Sequence, residues 1–118
     1  MKKIGEGRSC SSNSEALGEF IYIQSVEDVI NIFDDANGKI CIVDDAGTTT
    51  LGPILSDLAG VLCPFGSEGS HLAIVSREFE IPCVMGVEFL VDDWSSLNGK
   101  KGKIVTESED KGIVYLLE

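Results

Sequence analysis

The residues best equipped for chemistry lie between Cys63 and Gly86, in the stretch CPFGSEGSHLAIVSREFEIPCVMG. An apolar strand runs into a loop with glycines at 66 and 69, and the loop opens onto a helix headed by Ser70 and His71. Glycine lets a backbone come close to a ligand, because no Cβ intervenes and positive φ is open to it. The first N–H groups of a helix lack intrahelical partners and point out of its end, at the positive pole of its dipole. Gly66, Ser67, Gly69 and Ser70 thus frame an anion site suited to a phosphoryl dianion. A histidine in that first turn is favoured as the neutral imidazole, the form that is a nucleophile, and its reference pKa of ~6.5 already leaves most of it neutral near pH 7. Attack by a ring nitrogen on phosphorus gives a phosphoramidate, reactive enough to pass the group on. Arg77, six residues further, can face the phosphoryl group or an acceptor. On local chemistry alone, a histidine after a Gly/Ser loop also reads as a capping or surface residue.

Other chemistries find less support. His71 is the only histidine, and Cys10, Cys41, Cys63 and Cys83 form no Cys-x-x-Cys pair, so no zinc site is expected. Three of the cysteines sit in apolar runs, where a thiol packs as a small hydrophobe. Cys63, eight residues before His71, is the one candidate for thiol chemistry, and its place in a strand argues against it. Twenty acidic against nine basic side chains give a net charge of −11, which repels nucleic acids and anionic membranes. Asp34-Asp35, Asp44-Asp45 and Asp92-Asp93 read as solvated turns rather than metal sites. No apolar run approaches a transmembrane span, and the basic start Met1-Lys2-Lys3 is followed by no apolar signal region; a cytoplasmic protein is expected.

The elements that must position the site follow from periodicity. The 118 residues suit one domain, spanning 1–118. Residues 5–18 are Gly/Ser-rich and read as a loop, and Glu19–Ile23 as a strand. Ser25 caps a helix whose apolar stripe is Val26, Val29, Ile30 and Phe33. Asn37-Gly38 turns the chain into a buried strand from Ile40 to Val43. Leu51, Ile54, Leu55 and Leu58 predict a second helix, closed by Gly60. Val61–Cys63 is a short strand, His71–Glu80 a third helix stopped by Ile81-Pro82, and Cys83–Met85 another strand. After the Asn98-Gly99 turn, 103–106 and 113–117 form a terminal hairpin. The expected fold is α/β, a mixed sheet with about three helices and a terminal β-hairpin.

Gly66, Ser70-His71, Ala73-Ile74-Val75, Arg77-Glu78, Ile81-Pro82 and Gly86 closely resemble the phosphohistidine signature of the PEP-utilising enzymes. That family includes pyruvate phosphate dikinase, phosphoenolpyruvate synthase, the first enzyme of the sugar phosphotransferase system and rifampicin phosphotransferase. The resemblance extends more weakly to Gly5–Ile23 and Gly99–Leu117. It implies a swivelling β/β/α phosphohistidine domain, phosphorylated at His71. It also implies partners: an ATP-grasp domain or subunit, and a second domain that binds PEP, pyruvate or another acceptor. Mg with ATP or PEP is expected at those partners, and no cofactor in this chain. Ser67, Gly69, Leu72 and Glu80 depart from the family's usual glycine, threonine, small residue and glycine, so relatives regulated at that threonine are not guides here. A degenerate interaction or regulatory module of the same fold is the alternative those departures leave open.

Overall fold

The computed structural model describes residues 2–9, 15–23, 26–43, 54, 57–64, 71–78, 81–90, 94–108 and 111–117. Seven strands carry most of them: β1 (Lys2–Ser9), β2 (Glu15–Ile23), β3 (Lys39–Val43), β4 (Gly60–Cys63), β5 (Cys83–Phe89), β6 (Lys101–Ser108) and β7 (Lys111–Leu116). They close into a barrel in the order β1-β5-β4-β3-β2-β6-β7, with β7 returning to pair antiparallel with β1. β2, β3, β4 and β5 run parallel to one another; β1, β6 and β7 are antiparallel to their neighbours. Two short helices, α1 (Val26–Asn31) and α2 (His71–Glu78), are the α-helices among the described residues.

This overturns the α/β expectation of about three helices. Alternating strand and helix signals in the middle of the chain suggested an α/β domain with a mixed sheet, but the antiparallel strands at the two ends join each other and close the sheet into a barrel. The helix predicted over Leu51–Leu58 lies largely outside the described residues, while Gly60, expected to end it, opens β4. The N-terminal loop expectation also fails, since Lys2–Ser9 is a strand paired on both edges. The mixed strand directions and the β6–β7 hairpin are as expected.

Side-chain alternation along the parallel strands builds two cores. Ile40, Ile42, Leu62 and Val84 point inward, joining Ile4, Phe20, Val87, Ile104 and Val114, so that all seven strands fill the lumen. Cys41, Val43, Val61, Cys63, Cys83 and Met85 point outward, under Val29, Ile32, Ile54, Leu58 and Ile81. A parallel strand buried on both faces needs a run of apolar residues, and the sequences of β3 and β4 supply it. The crossovers β2-α1-β3 and β4-α2-β5 join neighbouring parallel strands, the kind of connection whose usual right-handedness sets successive helices on the same side of a sheet.

Two glycines fit the barrel closely. Between its pairings with Glu6 and Arg8 of β1, β5 carries one extra residue, a β-bulge at which Gly86 takes φ 61°. At Gly102 a Cβ would fall within the ring of Phe20, whose side chain fills the lumen opposite.

Candidate functional site

β4 ends at Cys63, and α2 begins at His71. The chain between them carries the predicted phosphoryl loop; Gly66, Ser67, Gly69 and Ser70 lie outside the described residues, as does the side chain of His71. The backbone of His71 is the first residue of α2, as the sequence predicted, and it stands at the carboxyl end of the parallel strands. In parallel sheets, open or closed into barrels, that end is where ligands bind, because loops and helix N-termini converge there. The N–H groups of the first turn of α2, from position 71 onward, have no carbonyl within the helix to bond.

The far end of α2 is closed locally. The Ile81 N–H donates to the Ser76 carbonyl at 2.9 Å, a six-to-one closure, and Pro82 cannot continue the helix. The Val61 N–H donates in turn to the Pro82 carbonyl at 2.9 Å, fixing the return of the chain to the start of β4. The described helix is His71–Glu78; Phe79 and Glu80, the last two residues of the predicted His71–Glu80, lie outside the described residues.

Along α2, Ile74, Arg77 and Glu78 are exposed, whereas Ser76 is fully buried. Six residues of helix put Arg77 about 9 Å along the axis from position 71 and roughly 120° around it. The helix itself does not bring the two predicted residues to one side. Ser76 is the feature the sequence reading missed: its Oγ is buried with no hydrogen-bond partner among the described residues. A polar residue gives no apolar signal, so periodicity could not place it inside.

The thiols stand under the helices and away from solvent. Cys41, Cys63 and Cys83 are buried and form no disulfide, and burial pushes the Cys41 thiol up to about 12 against the opposing pull of Lys39. Such a thiol carries almost no thiolate near neutral pH and is a poor nucleophile. Among the described residues no three His, Cys, Asp or Glu side chains converge as a metal site, and no helix is long and apolar enough to cross a membrane.

The chain is thus a closed mixed barrel with an outer helical layer and a helix that starts at its single histidine. The family pattern described as "PEP-utilising enzyme, mobile domain" matches residues 35–109, well over half of the chain, and the chain belongs to that family. Among solved structures, it is similar to the N-terminal domain of Enzyme 1 - Nitrogen, at 27% identity and a TM-score of 0.48 over 68% of this chain. It spans 35% of that longer chain. Aconitase X of Thermococcus kodakaraensis, in its holo form, has a similar fold at 18% identity and a TM-score of 0.60, covering the whole of both chains. So does muramoyltetrapeptide carboxypeptidase of Oxalobacter formigenes, at 11% identity and a TM-score of 0.57, over 98% of this chain and 51% of that one. No curated protein matches the chain.

Proposed function

We propose that this chain is the phosphocarrier part of a PEP- or ATP-dependent phosphotransferase and that His71 carries the phosphoryl group. One observation carries the reading: in a member of the mobile-domain family, the only histidine is the first residue of a helix at the carboxyl end of the parallel strands. A lone pair on the neutral imidazole forms the P–N bond while the donor's P–O bond breaks. The electron pair leaves with ADP, or with the enolate of pyruvate if PEP is the donor. The unpaired N–H groups at the mouth of α2, with Gly66, Ser67, Gly69 and Ser70 before it, hold the phosphoryl oxygens. Onward transfer reverses these bond changes toward an acceptor. Arg77, set around the helix from position 71, is better placed to meet a docked acceptor or partner than to hold the group itself.

An ATP-grasp domain that loads His71 and a domain that binds PEP, pyruvate or another acceptor supply the remaining sites, with Mg at the nucleotide or PEP. The intracellular setting of such donors makes a cytoplasmic location the natural one. The test is loading of the chain by an ATP-grasp donor domain with Mg–ATP, followed by intact mass. The wild type should gain one phosphoryl group and His71→Ala none. A gain that persists in His71→Ala would overturn the assignment, and no gain from any donor domain would favour the non-catalytic module.

A further inference from the structure

Charge is unevenly shared along the chain. Residues 26–96 hold thirteen of the acidic side chains and two of the basic ones, so they carry the entire net charge of −11; the remainder of the chain holds seven of each. Residues 26–96 include α1, α2 and the parallel strands β3 to β5. Of the six large apolar side chains exposed among the described residues, three belong to this segment's helices and the turn after α1, Ile30 at 66%, Phe33 at 53% and Ile74 at 47%, while Leu17, Leu90 and Leu117 lie apart on or beside the strands.

Ile30 and Phe33 are not helix positions waiting for the protein's own core. α1 already buries Val29 and Ile32 on its inner side. The chain beyond it continues as turns, with Phe33 N–H bonded to the Ile30 carbonyl at 3.3 Å, so these two side chains stand one above the other on the outer side. Asp34 and Asp35 flank them and are exposed. An exposed apolar pair framed by one sign of charge is the anatomy of a docking surface, with an apolar centre and a charged rim. A second copy of this chain would bring −11 against −11 and is disfavoured.

We infer that the outer face of the helical layer, centred on Ile30 and Phe33, docks a protein surface that is basic and apolar. The inference goes beyond the carrier reading and does not need His71. A basic partner gains from the long-range field of this half and then from burial of the two side chains.

The test uses the full ¹⁵N-labelled chain and two short amphipathic helical peptides, one of Lys and Leu, the other with Gln in place of Lys. With the Lys peptide, amide shifts should concentrate at residues 27–35 and on α2. Affinity should fall as salt rises, and the Gln peptide should bind much more weakly. Ile30→Ser and Phe33→Ser should each weaken binding roughly tenfold, the scale of losing one apolar anchor. Leu17→Ser, which removes a side chain 58% exposed on β2, should leave binding unchanged, as should His71→Ala. Should Phe33→Ser prove poorly folded, Ile30→Ser carries the test alone. Shifts mapping to β1, β6 and β7, equal binding of the Gln peptide, or equal losses from Leu17→Ser and Ile30→Ser would overturn the inference. So would a self-association of the chain that Ile30→Ser abolishes.

Discussion

The two arcs of this barrel are built from the same kind of strand and do different work. In the parallel arc, β3 and β4 are buried on both faces, one against the lumen and one against the helical layer. In the antiparallel arc, burial on β1 and β7 is less complete, and polar side chains such as Lys3, Glu6 and Tyr115 are partly exposed. There acidic and basic groups are balanced and paired across strands: Lys103 Nζ lies 3.0 Å from Glu15, and Lys111 Nζ 3.3 Å from Glu6. Within the parallel arc, Lys39 Nζ on β3 lies 3.1 Å from Glu19, its register partner on β2. The helical side has almost no basic groups of its own. On the carrier reading proposed above, a phosphoryl dianion on that side relies on backbone N–H groups and on cations that a partner brings. The antiparallel arc is a neutral scaffold, and the segment from α1 to β5 carries the acidic excess and the proposed working face.

That division can be broken first at the scaffold. Gly102→Ala should cause the largest loss of stability, about 1–3 kcal/mol from overpacking, because the new methyl group collides with the Phe20 ring. Phosphoryl acceptance by the folded fraction should be unchanged. A normal denaturation midpoint would show that the lumen has slack, and lost acceptance in a folded variant would show that the two arcs are coupled. In the helical layer, Ser76→Ala removes a buried hydroxyl without a described partner. It should be neutral or stabilising by up to about 1–3 kcal/mol, the cost of leaving a polar group unpaired. Clear destabilisation would mean that the hydroxyl is satisfied.

The smallest effect is expected at the exposed Lys3–Glu6–Lys111 cluster. Hydrogen bonding from Lys3, then from Lys111, holds the Glu6 carboxyl below its ordinary 4.5. Lys111 is held above its ordinary 10.5, first by its hydrogen bond with Glu6. The carboxylate's contribution is therefore present above pH 4.5 and lost as pH falls through the lower folded value. That of Lys111 is present below pH 10.5 and lost as pH rises through the higher folded value. Both groups face solvent, so Glu6→Gln should change the melting temperature little at neutral pH and slightly flatten its fall in acid, a difference that salt erases. A large loss at neutral pH would contradict the view of these pairs as screened surface contacts.

Much of the working face was legible in the sequence, and much of the scaffold was not. The runs Ile40–Val43 and Val61–Cys63 announce doubly buried strands, and Asn37-Gly38 and Asn98-Gly99 mark turns where Gly38 and Gly99 adopt φ 82° and 83°. The start of α2 at His71 followed from the Gly/Ser loop before it. β1 was illegible because Gly5 and Gly7 look like loop residues. Gly7 is a strand residue pressed so close to β5 that a Cβ would lie 2.6 Å from the Met85 carbonyl oxygen. The predicted stripe of α1 was right at Val29 and wrong at Ile30 and Phe33, because the helix stops at Asn31 and Ile32 takes the inner position instead. Barrel closure was hidden for a related reason: pairing of β1 with β7 joins the two ends of the chain, and no local pattern encodes it.

The central claim is that a P–N bond forms at His71, and its chemistry gives the most direct measurement. The chain is labelled from a radioactive donor through an ATP-grasp domain and then held at acid and at alkaline pH. A phosphoramidate should be lost in acid, where protonation of the ring nitrogen makes it a good leaving group, and kept in alkali. The account predicts an acid-labile, alkali-stable label on the wild type and none on a folded His71→Ala chain. An acid-stable label, or one that survives His71→Ala, would contradict it.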